Sequence, residues 1–208
     1  MQATTEPAMT EPTTAAPAAR LGYNDLKAAG LTFPHSHYAV DVDWTYLESH
    51  IQREEEVGLD LDPEFQRVHR WTDAQRVAYI EHVLSGGETG KTLLFGYVGK
   101  NDLLPKSGKF RHYSLVDGKQ RMETVRRFLR GEFRVFPGLA GRAEGWLWSE
   151  LDRSISRALV TSFRWQLVIV ESYEELLRLY LKINRGGTQH TPEEIQKVED
   201  VVASLGVV

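Results

Sequence analysis

The residues best suited to chemistry lie where a predicted strand meets a predicted helix, in segment 111–129. β-forming residues precede Asp117-Gly118, and apolar residues then recur at helical spacing, which predicts a strand, a tight turn and a helix. The first turn of a helix presents unpaired backbone N–H groups and the positive end of its dipole. Lys119 and Arg121 add formal positive charge at the same place. We therefore expect an anion to bind at this junction.

Two polar side chains of the junction are suited to act on a bound ligand. Asp117, at the end of the strand, can hold a metal ion or accept a proton, and Gln120 can orient a water molecule or a ligand oxygen. A simpler interpretation is a surface turn in which Asp117 only caps the helix and the arginines are solvated. This segment alone leaves both interpretations open.

A second polar segment, 59–71, has its polar side chains placed between Pro63 and Trp71. Proline and alternating charges keep 62–66 extended, and Trp71 is large enough to pin the segment against the core. Its candidate functional residues are Glu64, Gln66, Arg67 and Arg70. The alternative is that the two arginines form exposed ion pairs with Glu64 and Asp62, and such pairs contribute little to stability.

Capping residues and hydrophobic spacing predict the elements around these two segments. The pattern indicates a helix capped by Asp43, helices opened by capping boxes at Thr72/Gln75 and Ser172/Glu175, a helix within 146–162, and strands at 93–98 and 165–170.

The composition is that of a chain able to form one hydrophobic core, with 208 residues of which 41% are hydrophobic. Residues 1–20 are rich in Ala, Thr, Pro and Glu, which predicts a disordered tail followed by a single domain over 21–208. No apolar run approaches a membrane span and no secretory signal is present, so we expect a cytoplasmic protein without membrane contact. The absence of cysteine excludes disulfides and thiolate catalysis.

Charge is distributed unevenly along the chain. The net charge of −4 excludes a polycation that coats nucleic acid, yet 106–130 carries eight basic residues against two acidic ones. This excess is compatible with a local basic face that contacts DNA phosphates. The alternative, a solvated helix face, explains the same charges equally well. The candidate DNA contacts are Lys109, Arg126, Arg127 and Arg130.

Three separated segments share the order and spacing of one known family. They are Pro63-Glu64-Phe65-Gln66-Arg67 with Arg70-Trp71, Val116-Asp117-Gly118-Lys119-Gln120-Arg121, and Ile183-Asn184-Arg185-Gly186-Gly187-Thr188 with Glu194. Together they resemble the family named for its Asp-Gly-Gln-Gln-Arg motif, the N-terminal domain of GmrSD-type, modification-dependent restriction enzymes, which is related to the ParB/sulfiredoxin-like fold. The resemblance covers about 59–202.

The resemblance implies an α+β domain, with a small mixed sheet packed by helices, that binds a nucleoside triphosphate. The nucleotide would be ATP or GTP, often with Mg²⁺, and would be hydrolysed in response to DNA. Carried over by position, Asp117, Gln120 and Arg121 form the core of the nucleotide site. Arg67 and Arg70 form its second wall.

The sequence departs from this family in two ways. Lys119 stands where the family has glutamine, which adds a charge that attracts phosphate. The sequence also ends at Val208 without the nuclease domain of the restriction enzymes. We therefore expect either a partner protein as the effector or a domain that transfers phosphate for its own purpose.

The resulting hypothesis is phosphoryl transfer, which needs charge neutralised around the phosphates and an acceptor oxygen placed in line. Phosphates would be surrounded by Arg67, Lys119 and Arg121, with Gly118, Gln66 and Arg70 completing the nucleotide contacts. Asp117 would bind magnesium or deprotonate the acceptor, and Gln120 or Glu64 would position it. Water as acceptor gives a nucleotidase, whereas a hydroxyl on DNA, such as a hydroxymethylated base, gives a DNA kinase.

One rival is a non-catalytic DNA-binding or adaptor module whose basic helix contacts backbone phosphates. A nuclease is a weaker rival, because the sequence offers no dense carboxylate or histidine cluster for two-metal cleavage.

Overall fold

The computed structural model describes residues 21–30, 36–66, 71–99, 113–159 and 161–184, with the single positions 196 and 200. The chain divides into two compact units, Met1–Phe33 and Pro34–Val208. The predicted disordered tail, 1–20, lies outside the described residues, and the division at residue 20 stays a prediction. The first unit contains helix α1, Tyr23–Ala28.

The described part of the second unit contains five strands and five α-helices. The strands are β1 Ser36–Asp43, β2 Leu59–Asp60, β3 Thr92–Val98, β4 Tyr113–Asp117 and β5 Ser162–Val170. The helices are α2 Leu47–Glu56, α3 Asp73–Leu84, α4 Lys119–Leu129, α5 Arg153–Ala158 and α6 Tyr173–Asn184. In this part of the chain, every helix is too short or too polar to span a membrane.

The strands form one mixed sheet in the order β1-β5-β3-β4-β2. β5 pairs antiparallel with β1 and parallel with β3, whereas β4 pairs antiparallel with β3 and parallel with β2. The predicted α+β class with a mixed sheet is therefore confirmed.

Strand β4 is covered on both faces. Successive side chains of a strand point to opposite faces, so Leu115 packs into the larger core cluster and Val116 into the smaller one. The larger cluster includes the stacked rings of Phe95 and Trp165, with centroids 3.8 Å apart. Packing on both faces fixes β4, and with it the position of Asp117 at its end.

Local signals in the sequence identified most helix starts. The capping box at Thr72 and Gln75 is confirmed, with both reciprocal hydrogen bonds present at the start of α3. Asp43 caps a single 3₁₀ turn, Trp44–Tyr46, that runs directly into α2. Before α6, Ser172 Oγ accepts the Glu175 N–H at 3.1 Å.

The helix predicted within 146–162 is present but short. The structure has a 3₁₀ turn at Trp148–Glu150, then only the six residues of α5, and β5 begins at Ser162. Asp152 explains the late start, because its carboxylate caps α5 by accepting the Ser154 N–H at 2.8 Å.

Candidate nucleotide-binding site

The junction between β4 and α4 contains a single residue, Gly118. Its φ of 103° and ψ of 5° lie in the region that favours glycine, and it is the N-cap of α4 without a side-chain hydrogen bond. A Cβ at this position would lie 2.5 Å from Leu93 Cδ2. Glycine therefore lets α4 start one residue after β4 ends, which brings the strand end and the first helical turn together.

Asp117 is held by the helix that follows it. Arg121 Nη2 donates to Asp117 Oδ2 at 2.6 Å across one helical turn. The Asp117 side chain is 39% exposed and that of Arg121 is 18% exposed. Because the N-cap is Gly118, Asp117 does not cap α4, and the simpler surface-turn interpretation is wrong on this point.

A cleft of about 240 Å³ opens at this junction. Three segments of the chain supply its described lining residues, which are Gln66 and Trp71, Val116 to Arg121, and Tyr180, Ile183 and Asn184. The polar segment before Trp71 and the junction after β4, separate in sequence, are therefore two walls of the same cleft.

Hydrogen bonds connect these two walls. The Trp71 backbone N–H donates to Gln120 Oε1 at 3.1 Å, and Gln66 Nε2 donates to the Leu115 carbonyl oxygen. Lys119 Nζ donates a hydrogen bond to Asp62 Oδ1, and the Asp62 side chain is 83% exposed. The side chains of Gln66, Lys119 and Gln120 are thus positioned by contacts across the cleft.

Other predicted site residues lie elsewhere or outside the description. Glu64 is exposed and does not line the cleft. It lies close enough to Tyr173 to contribute, after burial, to raising the pKa of that hydroxyl. Its acceptor-positioning role is a prediction that this placement does not support. Arg67, Arg70 and Lys109 lie outside the described residues.

The C-terminal end of α6 forms a third wall of the cleft, which was not predicted from the residues alone. Tyr180, Ile183 and Asn184 line the cleft there. Asn184 Nδ2 donates to the Tyr180 carbonyl oxygen at 2.8 Å, so the amide is anchored to its own helix. The signal was present, because Ile183-Asn184 opens the third segment of the family resemblance.

The three arginines predicted to contact DNA, two in α4 and one at its C-cap, are all paired with glutamates. Arg126 Nε and Nη2 bond to the two carboxylate oxygens of Glu48 at 2.7 and 3.0 Å. Glu132 accepts from Arg127 at 2.6 Å and from Arg130 at 2.7 Å. These two hydrogen bonds lower the pKa of Glu132, which keeps it charged. DNA would have to displace glutamates to reach this face.

The predicted magnesium site would have Asp117 as its only carboxylate ligand among the described residues of the cleft. Within the described ranges, no three or more His, Asp or Glu side chains form a group that could hold a metal ion. Asp117 is the one carboxylate among the described lining residues of the cleft. Mg²⁺ usually binds through one or two carboxylates together with waters and substrate phosphates. The donor set therefore fits Mg²⁺ that arrives with a nucleotide.

No protein-family model matches the chain, and neither a curated protein nor a solved structure matches it significantly. The resemblance to the N-terminal domain of GmrSD-type enzymes therefore depends on its three sequence segments, and membership of that family stays a prediction.

Proposed function

We propose that this chain is a nucleoside-triphosphate-dependent phosphoryl-transfer enzyme that acts with DNA, built on a ParB/sulfiredoxin-like fold. The observation that supports it best is the cleft at the start of α4. There a carboxylate, a lysine and an arginine line one volume, together with the first turn of a helix. This combination suits the binding of ATP or GTP with Mg²⁺.

The positive groups of the cleft would bind the phosphates. Backbone N–H groups in the first turn of α4 lack partners within the helix, and Lys119 and Arg121 add two charges beside them. The ion pair of Lys119 with Asp62 is weak, because the carboxylate side chain is 83% exposed. Lys119 can therefore exchange this partner for a phosphate oxygen.

Asp117 and Gln120 would act at the transferred group. Asp117 would hold Mg²⁺, and Mg²⁺ bound with the nucleotide neutralises charge on the phosphate oxygens. Gln120, fixed against the Trp71 backbone, would orient the acceptor oxygen. Since Glu64 lies outside the cleft, Gln120 is the better candidate of the two for this role.

The acceptor separates two versions of the proposal. Water gives an NTPase of DNA modification or restriction, which would act through a partner protein as its effector. A hydroxyl group on DNA gives a DNA kinase, with a hydroxymethylated base as a specific acceptor. We propose the cytoplasm as the location, since a chain without cysteine suits a reducing compartment.

The second candidate, a non-catalytic DNA-binding or adaptor module, would use the arginines of α4. It predicts DNA affinity that falls steeply with salt and does not depend on nucleotide. The pairing of Arg126, Arg127 and Arg130 with glutamates disfavours it, because phosphates would have to compete for those guanidinium groups.

The deciding experiment uses ATP or GTP labelled in the γ-phosphate, with Mg²⁺, and normal, hydroxymethylated or no DNA. Label released as free phosphate indicates the nucleotidase, and label on the polynucleotide indicates the kinase. Salt-sensitive DNA binding without turnover indicates the adaptor. An Asp73→Asn variant is the matched control for Asp117→Asn, because Asp73 is exposed on α3 and does not line the cleft.

A further inference from the structure

A second groove, of about 470 Å³, adjoins the cleft beside α3. Trp71 and Arg121 line both spaces. Arg121 spans them, since Nη2 bonds to Asp117 in the cleft while Nη1 lies 4.0 Å from the position of a Cβ on Gly90 in the groove. A ligand with its anionic part at Asp117 and Arg121 could therefore continue into the groove.

The groove has an aromatic wall. The rings of Trp71 and Tyr79 meet edge to face, with centroids 5.3 Å apart. Tyr79 donates its hydroxyl hydrogen to the Gly90 carbonyl oxygen at 2.9 Å, which fixes the ring. Burial raises the pKa of Tyr79, so the hydroxyl keeps its proton at neutral pH. Because the two rings are inclined to each other, a planar ligand in the groove would stack on the face of one ring and meet the other at its edge.

The rim of the groove is polar and mostly exposed. His82 Nε2 and Thr89 Oγ1 are hydrogen-bonded at 2.9 Å. Gln75 Oε1 accepts the Thr72 N–H at 2.8 Å in the capping box, which orients its amide. Imidazole, hydroxyl and amide groups can each donate or accept, as the edge of a heteroaromatic ring requires.

An anion site joined to an aromatic wall with a hydrogen-bonding rim matches the chemistry of a nucleotide. We propose that this groove binds the nucleobase of the triphosphate whose phosphates occupy the cleft, an inference that rests on the proposed function. One of the two inclined rings, Trp71 or Tyr79, supplies the stacking face, and the other bounds the base at its edge. Gln75, His82 and Thr89 contact the edge of the base and set the preference among bases.

The test compares the binding of ATP and GTP with that of inorganic tripolyphosphate, measured by calorimetry. Stacking of one base on aromatic side chains should make the nucleotides at least about 10-fold tighter than tripolyphosphate. Ala78 is an exposed groove residue of α3. Ala78→Trp fills the groove, so it should reduce nucleotide affinity to the level of tripolyphosphate and leave tripolyphosphate binding unchanged.

Two further variants keep the test specific. Ala74 lies one turn earlier on α3, is exposed and does not line the groove, so Ala74→Trp should leave both ligands unaffected. His82→Ala should change the affinity ratio of ATP to GTP by about 3-fold or more without changing tripolyphosphate binding. Thermal unfolding of each variant verifies that it is folded.

The outcomes separate this inference from the proposed function. Wild-type protein that binds neither nucleotide nor tripolyphosphate would overturn the phosphate cleft and the groove together. Equal affinity for nucleotide and tripolyphosphate would overturn the nucleobase groove alone. Loss of DNA binding in Ala78→Trp, with nucleotide affinity intact, would also overturn it and assign the groove to a base of DNA.

Discussion

Replacing Gly118 by alanine tests the turn that forms the cleft. Two costs follow from the structure. The φ of 103° costs a residue with a Cβ about 1–2 kcal/mol. The new methyl group would also lie 2.5 Å from Leu93 Cδ2 and 3.3 Å from Leu93 Cα, and overpacking of this kind costs about 1–3 kcal/mol. We therefore expect Gly118→Ala to lower the free energy of unfolding by about 2–5 kcal/mol.

Gly131 offers a matched control at the other end of α4. Its φ is 75°, and nothing lies within 4 Å of the position of its Cβ. Gly131→Ala should therefore lower the free energy of unfolding only by the backbone contribution, about 1–2 kcal/mol. Alanine restricts the unfolded chain equally in both variants, so this contribution cancels in the comparison.

Urea denaturation measures the difference between the two variants. With a typical slope of about 2 kcal/mol per molar urea, the midpoint of Gly118→Ala should lie roughly 1 M below that of Gly131→Ala. Gly118→Ala should also weaken nucleotide binding, because relief of the close approach to Leu93 must shift the turn that begins α4. Coincident midpoints would refute the close packing of this turn against Leu93.

Three other changes have defined outcomes. Asp117→Asn should lower the release or transfer of labelled γ-phosphate by about 100-fold or more, and turnover at the wild-type rate would contradict its assignment. Thr72→Ala should destabilise the protein to urea by about 1 kcal/mol through loss of the capping box, whereas an unchanged midpoint would exclude that contribution. The hydrogen bond from the Leu147 N–H, and secondly the one from Arg142, lower the pKa of Glu150 from 4.5 to about 2. The ionised Glu150 carboxylate therefore stabilises the fold fully above pH 4.5, and this stabilisation is lost as the pH falls to 2. Glu150→Gln should accordingly be less stable than wild type to urea at pH 7 but not at pH 2, and an equal gap at both pH values would contradict this linkage.

Features that depend on neighbouring residues could be predicted from the sequence. The capping box needs only Thr72 and Gln75, three positions apart, and the strand–turn–helix around Gly118 follows from glycine and a change of hydrophobic period. The helical pattern at 146–162 predicted a helix that the structure contains, although it has only six residues. Its limits are set by the cap at Asp152 and by the sheet pairing of the chain from Ser162 onwards.

The parts of the site that were missed depend on distant contacts. To predict the wall formed by α6, one must know that this helix packs beside β4, which lies some 60 residues earlier in the chain. Charge counting along α4 likewise omitted Glu48, which lies 78 positions before the arginine that it pairs with. Single-sequence patterns contain no signal for such distant ion pairs, so a run of basic residues predicted a DNA-binding face without its compensating carboxylates.

The two ends of α4 differ in how firmly the cations there are held, and this difference favours the cleft as the proposed site of anion binding. At the C-terminal end, Arg126 makes a bidentate pair with Glu48, and Arg130, which follows the helix, contacts both Glu132 and Glu123. At the N-terminal end, Lys119 contacts one carboxylate oxygen of Asp62, and Arg121 contacts one of Asp117. Bidentate pairs are the stronger class. An incoming phosphate therefore displaces fewer hydrogen bonds at the start of α4, where the helix dipole also favours it.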